Sequence, residues 1–504
     1  MTSPVLRSPA VGVVVLCAAL TLVMGSMTSV AVSLPEIARS TGASQRELTW
    51  IVDAYTLVFA GLLLPCGALG DRFGRRRMLT IGLLIFAVAS LVAPLGDDPT
   101  MVIAARAVAG VGAALVMPAT LSLITTTMRG EAQERAVGIW VATCTLGGAL
   151  GLVFSGLVLE FSDWRSVFYF TAAGGVLAAF AAVLAEESSD QERPRFDVAG
   201  AVSSAAAIGL LVFGIIEAPT HGWLSAPFWL CMAAGASFVL AFLVLETCRE
   251  HPLLDMRIFR SGLVLTGSLT LMVIFAVLFA FFFLSMQFLQ LIEGQTPLRA
   301  GLTVMPAALT LLPLSLFAPA IVARLGLRTA TALGLVPLAA GLGLMATVEK
   351  GDLPTFLAAL LLMGAGFGLC ITPATVAILR SVPAAKQGVA SAVNDAVREV
   401  GAALGIAVAG SMLATGYTRN LGPAVEALPV PAREAAESSL AGALEVHAQL
   451  GPAAGPAVAE AHEAFLSGVQ ASFFAFALFT VACLVAVVIA APGRPTCRDE
   501  TEKL

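Results

Sequence analysis

Five ionisable residues sit inside long apolar runs of this chain: Asp53, Arg106, Asp395, Arg398 and Glu399. A charged side chain near the middle of a bilayer costs about 2.5–3.5 kcal/mol on insertion scales, so each is a candidate functional group. Asp395 and Glu399 are four residues apart and share one helix face, with Arg398 beside them. A carboxyl held between a dehydrating surrounding and a nearby guanidinium can keep a proton in one conformation and release it in another. Such a group can exchange a proton for a cationic substrate. The plainer reading is an ion-pair cluster that braces the end of a helix.

Asp53 lies about 8 Å inside the start of its apolar run, at 1.5 Å per residue. Arg106 lies at a similar depth in its own run, and the two are expected to pair. The alternatives are an interfacial acid in contact with water for Asp53 and structural bracing for Arg106. The candidates for proton coupling are therefore Asp53, Asp395, Glu399 and Arg106. Asp53, Tyr55, Gln287, Gln290, Asn394 and Asp395 are the candidates for lining a substrate cavity. Phe279, Phe281, Phe282 and Phe283 either stack on aromatic cations or pack against neighbouring helices.

The elements that must carry these residues are membrane spans. The 504 residues are 58% hydrophobic and 12% charged, and the mean hydropathy is +0.92. Soluble domains carry about 25% charged residues. About 20 mostly apolar residues cross a bilayer, and fourteen such runs can be marked. They lie near 11–35, 48–69, 78–95, 101–124, 136–158, 167–185, 198–217, 226–246, 263–291, 300–323, 330–347, 354–379, 388–412 and 469–492. The expectation is an all-α polytopic membrane protein. Residues 1–185 would form one six-helix bundle and 186–262 a linker with two additional spans. Residues 263–492 would form a second six-helix bundle, and 493–504 a tail.

Lys and Arg set the orientation, because positive loops stay cytoplasmic. With both termini inside, cytoplasmic segments hold 19 of the 28 basic residues and outer loops hold seven. Trp50, Trp164, Trp223 and Trp229 fall near predicted outer ends. The first run is read as a retained helix, not a cleaved signal. The eight cysteines are scattered, with no pattern of a disulfide framework. The segments Glu186–Asp197 and His251–Phe259 read as polar connectors. Residues 413–468 form an unusually long outer loop. Pro431–Leu450 and Ala457–Gly468 are expected to make a helical hairpin there, acting either as a lid or as a cap on the rim.

An internal echo supports a duplicated architecture. Gly110-Val-Gly112 leads to Pro118-Ala-Thr120, and about 255 positions later Gly364-Ala-Gly366-Phe-Gly368 leads to Pro373-Ala-Thr375. Two similar bundles rocking around a central site are the architecture of secondary transporters. An embedded enzyme is not expected. His221, His251, His447 and His462 fall in predicted loops, with no metal-spaced Cys/His cluster and no phosphate-binding loop. A non-transporting sensor is the remaining class. No cofactor, metal or nucleic acid is expected, only a small-molecule substrate, protons and lipid, with the chain acting as a monomer.

The connection between spans 2 and 3 reads Gly67-Ala-Leu-Gly70-Asp71-Arg72-Phe-Gly74-Arg75-Arg76-Arg77. Its glycines allow close helix approach. Asp71 is expected to pair with arginines across the seam between the bundles, so Gly67, Asp71, Arg72, Gly74, Arg75 and Arg76 form a candidate gating loop. This order resembles the first cytoplasmic loop of the major facilitator superfamily. The stretch Arg106–Pro118 is similar to its span-4 motif, with Ala109 in place of the usual Gln. Trp50–Leu57, Gln287–Gln290 with Gly294–Gly301, and Ser391–Gly401 resemble segments of the fourteen-helix drug:proton antiporter family, as does the long loop before the last span. The resemblance implies a proton-driven exporter of amphipathic, cationic compounds in a bacterial cell membrane, with a dedicated single-product exporter as the alternative. The chain departs from that pattern at Ser26, where many members have Asp, at Leu152 in place of Pro, and at Leu311 in place of a second-bundle acid.

Overall fold

The computed structural model describes residues 9–128, 130–183, 187–188, 197–249, 261–380 and 387–490. Most of the 186–197 linker, the 251–259 connector and the 493–504 tail lie outside the described residues. The helices are α1 (Pro9–Thr41), α2 (Gln45–Phe73), α3 (Arg75–Val92), α4 (Pro99–Thr127), α5 (Gly130–Phe161), α6 (Trp164–Ala182), α7 (Val198–His221) and α8 (Ala226–Cys248). They continue as α9 (Gly262–Gln287), α10 (Pro297–Thr303), α11 (Ala307–Leu325), α12 (Leu327–Met345), α13 (Leu353–Arg380) and α14 (Gln387–Asn420). Three short helices, α15 (Pro423–Glu426), α16 (Val430–Ser438) and α17 (Leu440–Leu450), precede α18 (Gly455–Ala490). Among the described residues there are no strands. Thirteen segments there are long and apolar enough to cross a membrane, and the apolar part of α5, Leu146–Phe161, adds a shorter one.

Local chemistry sets several boundaries. Ser44 and Glu47 form a reciprocal capping box that starts α2 at Gln45, three residues before the expected edge. The tenth span is broken between α10 and α11, just before and at Pro306, whose ring nitrogen has no proton to donate. α9 ends in a wide π-type turn over Phe288–Ile292.

The sequence echo becomes an echo of packing. α4 lies between α2 and α3, and a Cβ on Gly110 would come within 2.6 Å of the Tyr55 carbonyl of α2. A Cβ on Gly112 would come equally close to the Gly82 carbonyl of α3. α13 lies in the same way between α11 and α12. A Cβ on Gly368 would meet the Leu311 carbonyl at 2.5 Å, and one on Gly366 the Leu338 side chain at 2.6 Å. Only glycine permits both approaches.

The helices alternate in direction, so the molecule has two ends. The turn at Gly74 marks one, called here the turn end, and α15–α17 mark the other, the cap end. The two halves meet at the cap end. Gln290 Nε2, in the π-type turn after α9, donates to Val32 O of α1 at 2.8 Å. α10 packs on α5, where a Cβ on Gly156 would meet Leu298 Cα at 2.7 Å, and α14 packs on α2. The intervening α7 touches both α2 and α14, while α8 packs on α7 and buries only Gly235 and Glu246. Glu217 near the end of α7 accepts from Arg46 Nη1 at 3.1 Å and Trp50 Nε1 at 3.0 Å, and Ser411 Oγ of α14 donates to Ile215 O at 2.7 Å.

The helical arms expected within 413–468 are present with different bounds. The second arm is the continuous extension of α18, and the first arm breaks at Ser439, whose backbone is extended and whose hydroxyl caps α17. The cap is well packed. Leu440, Ala441, Ala443 and Val446 are buried, α17 touches α1, Tyr417 Oη donates to Ala436 O at 2.7 Å, and Glu460 accepts from the Ala424 amide at 2.9 Å. Trp164, at the start of α6, is fully buried and edge-on to Phe168.

Candidate functional site

A cavity of about 280 Å³ lies between the halves. Its walls are mainly apolar, built by Met24 and Met27 of α1, Trp140 and Cys144 of α5, Leu311 of α11 and Phe367 of α13. The aromatic wall comes from α9. Phe275 stacks on Phe279 with centroids 6.4 Å apart, and Phe279 meets Phe282 edge-on. Their spacing of three and four residues puts these rings on one face.

The charged wall comes from α14, where Asn394, Asp395, Arg398 and Glu399 all face the cavity. Asn394 Nδ2 donates to Asp395 Oδ1 at 3.2 Å, and Arg398 Nη1 stands 3.8 Å from the same oxygen. The Arg398 guanidinium lies over the Phe275 ring, 4.4 Å from its centroid. Asn394 Oδ1, Arg398 Nε and Glu399 Oε2 are buried without a hydrogen-bond partner. Unsatisfied buried polar atoms are uncommon and call for an explanation. Here they share one wall of one cavity.

The other expected cavity residues lie elsewhere. Asp53, Tyr55, Gln287 and Gln290 are outside the lining. Gln287 Nε2 returns to Phe283 O of its own helix, and Gln290 is spent on the link to Val32. Asp53 is fully buried and neither of its carboxylate oxygens has a hydrogen-bond partner.

Asp53 and Arg106 do not pair. Arg106 donates from Nε to Ile51 O of α2 at 3.1 Å and from Nη1 to Ser26 Oγ of α1 at 3.0 Å. Its guanidinium lies 4.2 Å from the Tyr55 centroid, and Tyr55 Oη in turn donates to Val23 O of α1 at 3.0 Å. Arg106 therefore ties three helices of the first half together. Equal depth along two helices says nothing of rotation about their axes, and rotation turns Arg106 toward Ser26.

The Gly67–Arg77 turn also differs from expectation. Asp71 Oδ1 accepts from Arg75 Nε at 2.9 Å and Nη2 at 2.7 Å, within the turn itself. Arg75 Nη1 donates to Ser188 Oγ, and the Arg76 amide donates to Glu187 Oε1, both at 3.0 Å. Gly74 has φ +105°, and a Cβ there would press on the Glu187 carboxylate. Gly67 rests on Pro118 of α4, and Arg72 lies over Phe73. Among the described residues this turn is fastened to the segment after α6, in its own half, and not across the seam.

Sequence reasoning missed Met24, Met27, Trp140 and Cys144 as lining residues. Apolar side chains in apolar helices give no signal of which face opens on a cavity. Arg398 was legible as a charge but not as the partner of Phe275.

Residues 14–406 match the family model of the Major Facilitator Superfamily. The chain is 33% identical over 404 residues to the multidrug resistance protein Stp of Mycobacterium tuberculosis, covering 79% of this chain and 75% of that one. It is 33% identical over 487 residues to the multidrug efflux pump LfrA of Mycolicibacterium smegmatis, covering 95% and 96%. A crystal structure of a bacterial homolog of the human lysosomal transporter Spinster, inward-facing and unoccupied, superposes with a TM-score of 0.68 at 14% identity. That match covers 97% of this chain and 98% of that one.

Proposed function

The chain belongs to the Major Facilitator Superfamily, and from that premise we propose that it is a proton-coupled exporter of amphipathic, cationic drugs or toxic compounds. It works by alternating access, as a monomer, in a bacterial cell membrane. The observation that carries this reading is the wall of α14. One face of one helix brings two carboxyls into an otherwise apolar, aromatic cavity between two matched halves. Aromatic rings and carboxyls together suit an organic cation, and a carboxyl that alternates between proton and cation links the two fluxes.

Asp395 is the proposed proton carrier, with Glu399 one turn away and Arg398 as the counter-charge that moves relative to it. Asp53 is a second candidate, since its buried carboxyl has no partner. Arg106 contributes by keeping α1, α2 and α4 as one body. The energy source is the proton gradient, and no cofactor is required. Both termini and the Gly74 turn face the cytoplasm in this reading, with the cap outside. The conformation closed at the cap end is then the inward-facing one. The relatives' names as multidrug pumps favour a broad substrate range over a single product.

The deciding experiment is flux in proteoliposomes under an imposed proton gradient, across cationic, neutral and acidic compounds. Uphill movement of cations that collapses with the gradient is the expected result. Gradient-independent flux, or binding with no flux, removes the reading. Orientation is tested at an exposed cap position: Glu434→Cys should be labelled by an impermeant thiol reagent on intact cells.

A further inference from the structure

Among the described residues four arginines lie over aromatic rings, Arg72, Arg106, Arg165 and Arg398, and of these only Arg398 lines the cavity. Arg106 is 2% exposed and held by two hydrogen bonds. Among the described residues, the Arg398 guanidinium makes no hydrogen bond. Its contacts are the Phe275 ring at 4.4 Å and the Asp395 carboxylate at 3.8 Å, and its Nε is buried unpartnered. These two contacts, a π face and a carboxylate, are the ones an aromatic cation would seek in the same cavity. The carboxylate contact is longer than a hydrogen bond, so little directional bonding holds the arginine there.

We infer that Arg398 is a resident stand-in for the substrate cation: it occupies the Phe275 and Asp395 positions in the empty carrier and must leave them before an organic cation binds. The inference rests on the cation-export reading above and deepens it. A substrate then binds with an affinity reduced by the fraction of carrier in which Arg398 has swung aside. Phe279 and Phe282 continue the aromatic row toward the closed cap end, so a cation entering from the turn end meets Phe275 first. The device has a use beyond occupancy. The empty carrier keeps a positive charge beside Asp395, and the loaded carrier replaces it with the substrate's own.

The test uses the purified full-length protein, ethidium as the cationic probe and Nile Red as a neutral one. Replacing Arg398 with Gln (Arg398→Gln) should tighten ethidium binding about tenfold and leave Nile Red within about twofold, the signature of removing a competitor for one charge site. Arg398→Lys keeps a cation there and should stay near the parent. A purely structural arginine would weaken both probes together when removed, and that result overturns the inference. Unchanged or weaker ethidium binding with Nile Red retained overturns it as well. Should Arg398→Gln fail to give monodisperse protein, Arg398→Met keeps the packing stem and carries the same test. Failure of the parent itself to bind ethidium, with Nile Red bound, removes the cation-export reading and this inference with it.

Discussion

Arg106 and Arg398 sit in helix interiors of opposite halves, each about 4 Å from an aromatic centroid, yet their surroundings assign them different work. Arg106 is enclosed by α1, α2 and α4, with a carbonyl, a hydroxyl and the Tyr55 ring as partners. Arg398 stands on the cavity wall beside two carboxyls. Arg106 Nη2 and Arg398 Nε are both buried without a partner, but a buried charge hydrogen-bonded to two other helices stiffens the structure around it, and one that makes no hydrogen bond is available for exchange. The halves match in their glycine packing and diverge in their charges. In the proposed reading the first half acts as a rigid body and the second carries the chemistry.

The strongest way to break this comparison is Asp395→Asn. The change keeps the shape and removes the titrating group. It should abolish uphill export, leaving downhill exchange and the binding of neutral compounds. Proton-driven uptake into inverted vesicles measures it. Undiminished accumulation would move the carrier role to Glu399 or Asp53, and in the second case to the half described here as the rigid one.

Arg106→Leu attacks the other side of the comparison. It removes two hydrogen bonds and leaves the buried Ser26 hydroxyl without that donor, a loss of about 1–3 kcal/mol. The expected result is a thermal midpoint lower by several degrees, with ethidium affinity close to the parent in the protein that remains folded. A stable variant with altered cation binding would show that Arg106 is part of the substrate site after all. Ser26→Asp sharpens the same point. A carboxylate there lies within reach of Arg106 Nη1, so it should pair locally and leave binding at the α14 wall unchanged.

Much of this architecture was legible in the sequence. Apolar runs of span length give the helices, and the Gly110/Gly112 and Gly366/Gly368 echo gives the duplicated packing, because glycine at a helix crossing is a steric requirement. Asn394, Asp395 and Glu399 were legible as one face because helical spacing within a single element is fixed. Contacts between elements were not. The Asp53–Arg106 pairing failed because depth along two helices leaves their rotations free. Gln290 was lost to the π-type turn at Phe288–Ile292, which shifts the helical register so that the side chain reaches Val32. The break at Ser439 left no apolar signature, since a residue that caps a helix reads equally well as one inside it.

The smallest expected effect concerns the turn at Gly74. Among the described residues Asp71 pairs with Arg75 and not across the seam, so Asp71→Asn should not unlatch one bundle from the other directly. What it loosens is the hold on Arg75, which in turn donates to Ser188 and fixes the segment after α6. Asp71 is more than a third exposed, and exposed ion pairs contribute about 1 kcal/mol at most. Turnover should fall by a few-fold with substrate affinity unchanged, as expected for a contact that shapes a moving body's end and leaves its cavity alone. Initial rates and equilibrium binding, compared at matched reconstitution, separate the two. A loss of affinity equal to the loss of rate would mean that this turn communicates with the α14 wall, and the division between a rigid first half and an active second half would no longer hold.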